Sequence, residues 1–382
     1  QYEFQRLHGM GDLLYKAAGK VFGSPVATRI YAPVGAHRDL LPYLVRRLLE
    51  NGANSSFVHR FLDRKVAVEE VTRDPVTVLM ADEAGRNRHI ALPADLYAPE
   101  RRNSRGLNLQ DPLQSAKLLE AIDAADDAPP DEGCIVSGVI CGTEPVDIRA
   151  PVNRDECVGH VRQADAATRE AAVTAAAAAF DDWNRLGGAQ RADILRAMAD
   201  VLEDNRAALI GLMTREGGKT LEDGIAELRE AVDFLQYYAR QAELHFSDPV
   251  ALPGPTGESN HLFHEGRGVF LAISPWNFPL AIFTGQVAAA LAAGNTVIAK
   301  PAEQTPLIAA AAVRLFQQAG LPADALQLLT GTGVDVAAPL VADERIAGVA
   351  FTGSFETARI INRTLAAREG PIVPLIAETG GQ

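Results

Sequence analysis

Residues 268–306 read GVFLAISPWNFPLAIFTGQVAAALAAGNTVIAKPAEQTP. From Gly268 to Ala299 there is no charged residue, a length that raises the question of a membrane span. Pro275, Asn277, Pro279, Gln286, Gly294 and Asn295 interrupt it, so a buried strand–helix–strand unit is the better reading. VFLAIS and TVIAKPA are its strands, and the helix between them closes on Gly294. The same rhythm continues through LQLLTG, GVAFTG and IVPLIAE, with another helix closing on Gly320. Apolar strands joined by helical crossovers predict a parallel sheet covered on both faces.

Such a sheet binds ligands beyond the carboxyl ends of its strands. Three of those ends are polar here: Ser274-Pro275-Trp276-Asn277-Phe278-Pro279, Lys300-Pro301-Ala302-Glu303, and Phe351-Thr352-Gly353-Ser354. The last opens directly onto a helix, whose first backbone N–H groups favour a phosphate. A carboxylate at Glu303 suits both hydroxyls of an adenosine ribose and repels a 2′-phosphate. On the residues alone, Lys300 and Glu303 fit a solvated strand-end ion pair at least as well. A GxGxxG fingerprint is absent, and Gly331-Thr332-Gly333 holds only part of one.

Towards the N-terminus of that unit, a domain is expected to begin at Cys134 and run to Gln382. It opens with the short strand candidates CIVSGVI and DIRAPV. Long Ala-rich helices follow over ATREAAVTAAAAAFDDW, QRADILRAMADVLEDNRAALIGLMTREGG and GIAELREAVDFLQYYARQA. In the second, Ile194, Leu195, Met198, Val201 and Leu202 recur at helical spacing. Residues 71–133 are rich in Pro, Asp, Arg and Gly and read as an inter-domain connector with one helix near Leu113–Ala124. Residues 1–70 alternate strand (EFQRL), helix (DLLYKAAGK), strand (TRIYAPV) and helix (DLLPYLVRRLLENG), the rhythm of an α/β barrel or a doubly wound sheet. In that last helix Leu41, Leu44, Val45 and Leu48 make an apolar face. Tyr43, Arg46, Arg47 and Glu50 make the other. Two guanidinium groups beside a phenol suit a small carboxylate. A solvated face with an Arg47–Glu50 pair is the alternative.

The 36 Lys+Arg against 49 Asp+Glu give a net charge of −13, which argues against a nucleic-acid surface spread over the chain. With 47% hydrophobic and 22% charged residues the composition is that of an ordinary globular protein. Cys134, Cys141 and Cys157 form no CxxC pair and no His cluster stands beside them in sequence, so no metal site or disulfide scaffold is expected and a reducing cytoplasm is the natural compartment. The chain begins QYEFQRLHGM without an initiator Met or a targeting segment and ends IAETGGQ, so both ends read as cut from a longer polypeptide.

From about Cys134 onward the sequence resembles the aldehyde dehydrogenase superfamily, through PWNFP at 275–279, KPAEQTP at 300–306, FTGS at 351–354 and ETGG at 378–381. The resemblance implies a Rossmann-like NAD-binding domain. In it Lys300 and Glu303 hold the adenosine ribose, Gly353 and Ser354 lie near the pyrophosphate, and Ile273, Trp276 and Gly333 line the cofactor cleft. It further implies that Asn277 donates its amide to the oxyanion and that Glu378 is the general base. The nucleophilic Cys of that family is expected beyond Gln382, so the chain is expected to be inactive alone. YEFQRLHGM at 2–10, RIYAPVG at 29–35 and YLVRRLLENGANSSFV at 43–58 resemble the closing strands and helices of the (β/α)8 proline dehydrogenase barrel. By that resemblance Arg46 and Arg47 bind the proline carboxylate, Leu7, Tyr31 and Tyr43 shape the substrate pocket, and Glu50 and Phe57 lie toward FAD.

The two in this order resemble the bifunctional proline utilization A family, as does ERRNSRGL in the connector. This implies an oxidoreductase of proline catabolism that takes L-proline to pyrroline-5-carboxylate with FAD, and glutamate semialdehyde to L-glutamate with NAD. It also implies a membrane quinone as electron acceptor, a homo-oligomer, and a cytoplasmic enzyme with peripheral contact to the inner membrane. Two other readings stay open: a stand-alone aldehyde dehydrogenase with an unrelated N-terminus, and a non-catalytic nucleotide-binding or assembly module.

Overall fold

Phe4–Leu7 (β1) and Thr28–Tyr31 (β2) pair in parallel, Phe4 opposite Thr28 and Leu7 opposite Tyr31. A parallel pair needs a crossover, and helix Asp12–Phe22 supplies it. That helix ends at Gly23, whose φ of 69° is a left-handed stop that glycine adopts without strain. Helix His37–Gly52 follows, so the strand–helix–strand–helix order read from the sequence is the order found. The computed structural model describes residues 3–9, 11–52, 60, 63, 65–81, 89–125 and 130–380. It divides into two compact units, residues 1–90 and 91–382.

The second unit is built on a seven-stranded sheet. Asp131–Glu132 (β3), Cys134–Val136 (β4), Val139–Cys141 (β5), Pro145–Arg149 (β6) and Cys157–Arg162 (β7) come first. After four helices come Val250–Leu252 (β8) and Asn260–Leu262 (β9), then Val269–Ile273 (β10), Thr296–Lys300 (β11), Leu326–Leu328 (β12), Ile346–Gly353 (β13) and Leu375–Thr379 (β14). The large sheet has the order β14-β13-β10-β11-β12-β4-β5. Its β10 to β14 strands are all parallel, and the β4–β5 hairpin adds an antiparallel edge. Strand order reverses on either side of β10, which makes its carboxyl end the switch point where such sheets bind ligands.

Both faces of β10 are covered. Phe270 and Ala272 pack with helices Gly187–Asp204, Leu221–Phe246 and Ala281–Ala292, while Val269, Leu271 and Ile273 pack with Val173 and Ala176 of helix Ala166–Arg185. This is why the strand reads as a continuous apolar run rather than an alternating one.

Three details differ from the sequence reading. CIVSGVI is not one strand but the β4–β5 hairpin, turned by Ser137 (φ 51°) and Gly138 (φ 79°), the two positive φ values of a tight hairpin turn. The long helix over 190–218 is two helices, Gly187–Asp204 and Arg206–Gly217. Asn205 stands at the break with a non-helical φ of −97° and ψ of 20°, its backbone N–H and its side-chain amide both donating to the Val201 carbonyl, at 3.1 and 2.8 Å. Finally, the stretch expected to connect domains is divided. Residues 91–125 belong to the second unit, where Ser104 donates through both N and Oγ to Asp233 at 3.0 and 2.9 Å and Arg105 pairs with Glu203. Arg101 stacks on Tyr97 at 3.8 Å and reaches Asp233 at 3.0 Å, so Arg101 and Arg105 of ERRNSRGL are ion-paired anchors.

Candidate active site

The polar strand ends singled out in the sequence meet at one edge of the sheet. Ile273 of β10 lies opposite Lys300 of β11 on one side and Phe351 of β13 on the other. The Ser274 amide donates to the Lys300 carbonyl at 3.2 Å, so the loop bearing Trp276 and Asn277 leaves the sheet beside Lys300. Trp276 is 58% exposed and Asn277 is exposed. Lys300 is buried, and burial pushes its ammonium below its ordinary value while Glu303 pulls it back. Its Nζ stands 3.9 Å from Glu303 Oε2, and Glu303 is half exposed. That pair is long for an ion pair and leaves hydrogen-bonding capacity on both groups.

Ser354 caps helix Phe355–Ala366, its Oγ accepting from the Thr357 amide at 3.2 Å. Gly353 is where β13 ends, and a Cβ there would lie 2.6 Å from the Phe351 ring. Gly333 opens a helical turn capped by Thr332, and a Cβ at Gly333 would meet nothing within 4 Å, leaving room for a ligand.

Glu378 sits on β14 opposite Thr352. It lines a cavity of about 270 Å³ with Phe234, Tyr238, Gln286, Thr352 and Ile376, among others. Gln286 ties the wall together, its Nε2 donating to the Ile273 carbonyl at 3.2 Å and to Thr352 Oγ1 at 3.0 Å. Burial pushes the Tyr238 hydroxyl up, and the charges of Tyr237 and Glu378 push it further. No cysteine lines this cavity among the described residues. Burial also raises the Cys134 and Cys141 thiols, which disfavours the reactive thiolate at both.

Buried carboxyl groups set the loops. Glu227, fully buried, accepts from the Leu280 and Ala281 amides at 2.7 and 3.2 Å and pairs with Lys219 at 2.7 Å. Removing either partner would strand the other charge, a cost of about 3–5 kcal/mol. Glu216 accepts from the Leu307 and Ile308 amides at 2.6 and 2.9 Å. Sequence reasoning missed Gln286, Tyr238, Lys219, Glu227 and Glu216. A signal for Glu227 existed: it falls on the buried stripe of its helix with Gly224, Leu228 and Ala231, where an unpaired charge would not be tolerated.

In the first unit, Leu7 and Tyr31 lie side by side at the carboxyl ends of β1 and β2. Tyr43 and Arg46 sit on helix His37–Gly52, Tyr43 half-buried and Arg46 exposed. The side chains of Arg47 and Glu50, and the whole of Phe57, lie outside the described residues.

A close group of Asp147, Cys157 and His160, of a kind that could hold a metal ion, was not foreseen. A bulge between Ile148 and Arg149 brings Cys157 and His160 to the face of β7 that meets Asp147, with His160 Nδ1 3.0 Å from Asp147 Oδ1 and 3.9 Å from Cys157 Sγ. Arg149 holds the other carboxylate oxygen at 2.6 Å.

Residues 141–382 match the aldehyde dehydrogenase family, and the chain belongs to it. Residues 1–60 match proline dehydrogenase. Over its whole length the chain is 46% identical to the bifunctional protein PutA of Escherichia coli, of which it spans 29%. It superimposes on a crystal structure of a Bradyrhizobium japonicum proline utilization A variant with a TM-score of 0.81 and 51% identity, covering 99% of this chain and 35% of that one. It also matches a Thermus 1-pyrroline-5-carboxylate dehydrogenase solved with bound NAD, with a TM-score of 0.70 and 33% identity over 74% of this chain and 55% of that one. The chain spans 29–30% of the length of the PutA relatives it matches.

Proposed function

We propose that this chain serves a bifunctional oxidoreductase of proline catabolism. Its second unit holds NAD for the oxidation of glutamate semialdehyde to L-glutamate, and its first unit contributes to the oxidation of L-proline to pyrroline-5-carboxylate with FAD. The observation that carries the reading is the convergence of Asn277, Lys300, Glu303 and Ser354 on the carboxyl edge of one parallel sheet, with Glu378 on the outer strand of the same edge. A non-catalytic binding module would have no use for an exposed amide and an exposed carboxylate there.

The residues fit the cofactor. Lys300 and Glu303 have spare hydrogen-bonding capacity for a ribose diol, Gly333 faces open space, and Ser354 starts a helix whose N-terminus suits a pyrophosphate. Ile273 and Trp276 would line the cofactor cleft beside them, and Gly353 would lie near the pyrophosphate, without a Cβ to press on the Phe351 ring. NAD supplies the hydride acceptor when bound. As a nucleophilic thiolate adds to the carbonyl carbon of the aldehyde, the Asn277 amide would donate to the oxygen on which negative charge develops, a contribution of a few kcal/mol. After hydride leaves the adduct, Glu378 would take a proton from the water that cleaves the acyl–sulfur bond and releases the acid. Tyr238 and Gln286 wall that side of the cavity.

For the first half-reaction, Arg46 and Arg47 would hold the proline carboxylate. Leu7, Tyr31 and Tyr43 would bound the substrate, and Glu50 and Phe57 would face FAD. A homo-oligomer, a membrane quinone as electron acceptor and a cytoplasmic site with peripheral membrane contact belong to the same reading. Among the described residues no helix is long and apolar enough to cross a membrane.

The test is an assay of the full-length protein containing this chain, with proline and a quinone analogue, and separately with pyrroline-5-carboxylate and NAD. Activity in both supports the reading. NAD-dependent activity without proline oxidation would restrict it to the second unit.

A further inference from the structure

The two loops that carry the dinucleotide and oxyanion residues enter helices in the same way. Ser274–Pro279 runs into helix Ala281–Ala292, and the loop after Lys300 runs into helix Pro306–Gln318. Neither helix has a side-chain cap from its own N-cap residue, Leu280 or Thr305. The first amides of a helix need acceptors, and here they come from elsewhere. Glu227 Oε1 takes the Leu280 and Ala281 amides, and Glu216 takes those of Leu307 and Ile308. A local cap would fix only the helix end. A carboxyl group from another helix fixes the loop relative to that helix.

The two anchors share an origin. Glu216 sits in the last turn of helix Arg206–Gly217, and Lys219 follows after Gly218, whose φ of 67° turns the chain. Lys219 then reaches Glu227 Oε2 at 2.7 Å, and its ammonium lies 4.5 Å from the centre of the Phe278 ring. Asn277 is thus bracketed: its neighbour Phe278 rests on a cation, and Leu280 three residues on is held by the carboxylate that neutralises that cation. In the other loop, the Leu307 amide is held four residues beyond Glu303.

We propose that Lys219 with Glu227, and Glu216, are positioning residues with separate duties: the pair sets the oxyanion amide of Asn277, and Glu216 sets the ribose-binding end of the cofactor loop. This rests on the functional reading of those loops above. A merely structural role would lower stability and spread its effect over both loops. Positioning would divide the effects.

The experiment uses the full-length protein with Glu227→Gln, Lys219→Met, the double variant, and Glu216→Gln. It reads kcat for aldehyde oxidation, the Kd for NAD by calorimetry, and amide exchange over 275–281 and 302–308. The expected result is that Glu227→Gln and Lys219→Met each lower kcat about tenfold or more, with NAD affinity changed less than about threefold and faster exchange confined to 275–281. The double variant recovers part of the loss, because no charge is left buried alone. Glu216→Gln should do the reverse, acting mainly on the Kd for NAD and on exchange at 302–308. Should a Gln variant fail to fold, Glu227→Asp or Glu216→Asp is read in the same way. Equal losses in both parameters from all variants, or lower stability without loop-selective exchange, would overturn the proposal. If the unsubstituted protein oxidises no aldehyde yet exchange divides between the loops, the functional reading falls and the anchoring stands.

Discussion

The two units carry motifs of similar clarity and build them very differently. In the second, Leu271, Val297 and Ile298 are fully buried, and the Ser274–Pro279 loop and the loop after Lys300 leave strands whose residues are all buried. In the first, none of the described residues is buried, and Phe4, Leu13 and Ile30 are 42%, 78% and 51% exposed. The β1–β2 pair brings Leu7 beside Tyr31, and the proline-binding reading there rests on the matched motif rather than on a packed site. The second unit turns its motifs into geometry by burying the strands they hang from and by anchoring the loops on buried carboxyl groups.

The most damaging test of this contrast is truncation of apolar side chains. In this chain, Leu195→Ala, at a fully buried position, should cost about 2–5 kcal/mol, while Leu13→Ala should stay within about 0.5 kcal/mol. Urea denaturation followed by the fluorescence of the buried Trp183 measures the first, and far-ultraviolet dichroism the second. A comparable loss from Leu13→Ala would erase the difference between the units.

Next comes chemistry at the second unit. In the full-length protein, Asn277→Ala should lower kcat for aldehyde oxidation about 10²–10³-fold with little change in NAD affinity, since the amide acts only as charge develops. An effect confined to NAD binding would make Asn277 a cofactor contact instead. The counterpart in the first unit is Arg46→Met, which should raise the KM for proline about ten- to a hundredfold, the loss of about 1.5–3 kcal/mol for a charge-assisted contact, with flavin content preserved. An unchanged KM would leave Arg46 as part of a solvated helix face.

A smaller effect is pH-dependent. Burial pushes the Glu216 carboxyl from its ordinary 4.5 up to about 8, against the pull of the Leu307 and Ile308 amides. The folded value lies above the unfolded one, so folding holds a proton between the two. The contribution to stability is full below about pH 4.5 and is lost as pH rises to about 8. Melting temperatures should therefore shift in favour of Glu216→Gln, relative to the unsubstituted protein, between pH 5 and 8. A constant gap across that range would mean the carboxyl is ionised throughout.

Much of this was legible in the sequence. The apolar run of β10, the glycine that closes its helix and the polar strand ends predict the sheet and the edge where those polar ends gather, because period and punctuation are local properties. The Ser137-Gly138 hairpin turn and the break at Asn205 were also written locally, but within longer runs that read as single elements. The anchors were not legible as such. Glu227 and Lys219 are near in sequence, yet their partners Leu280, Ala281 and Phe278 lie tens of residues away, and only the packed helices bring them together. The pinning of Arg101, Ser104 and Arg105 by Asp233 and Glu203 is likewise tertiary, so a Pro- and Arg-rich stretch reads as a linker until its acids are found.

The central claim, that the carboxyl edge of the second unit binds a dinucleotide through Glu303, is tested most directly by calorimetric titration of the full-length protein with NAD and NADP. NAD should bind tighter by about tenfold or more, about 1.4 kcal/mol, because a 2′-phosphate would meet the Glu303 carboxylate. Glu303→Gln should narrow that preference. Equal or tighter binding of NADP by the unsubstituted protein would contradict it.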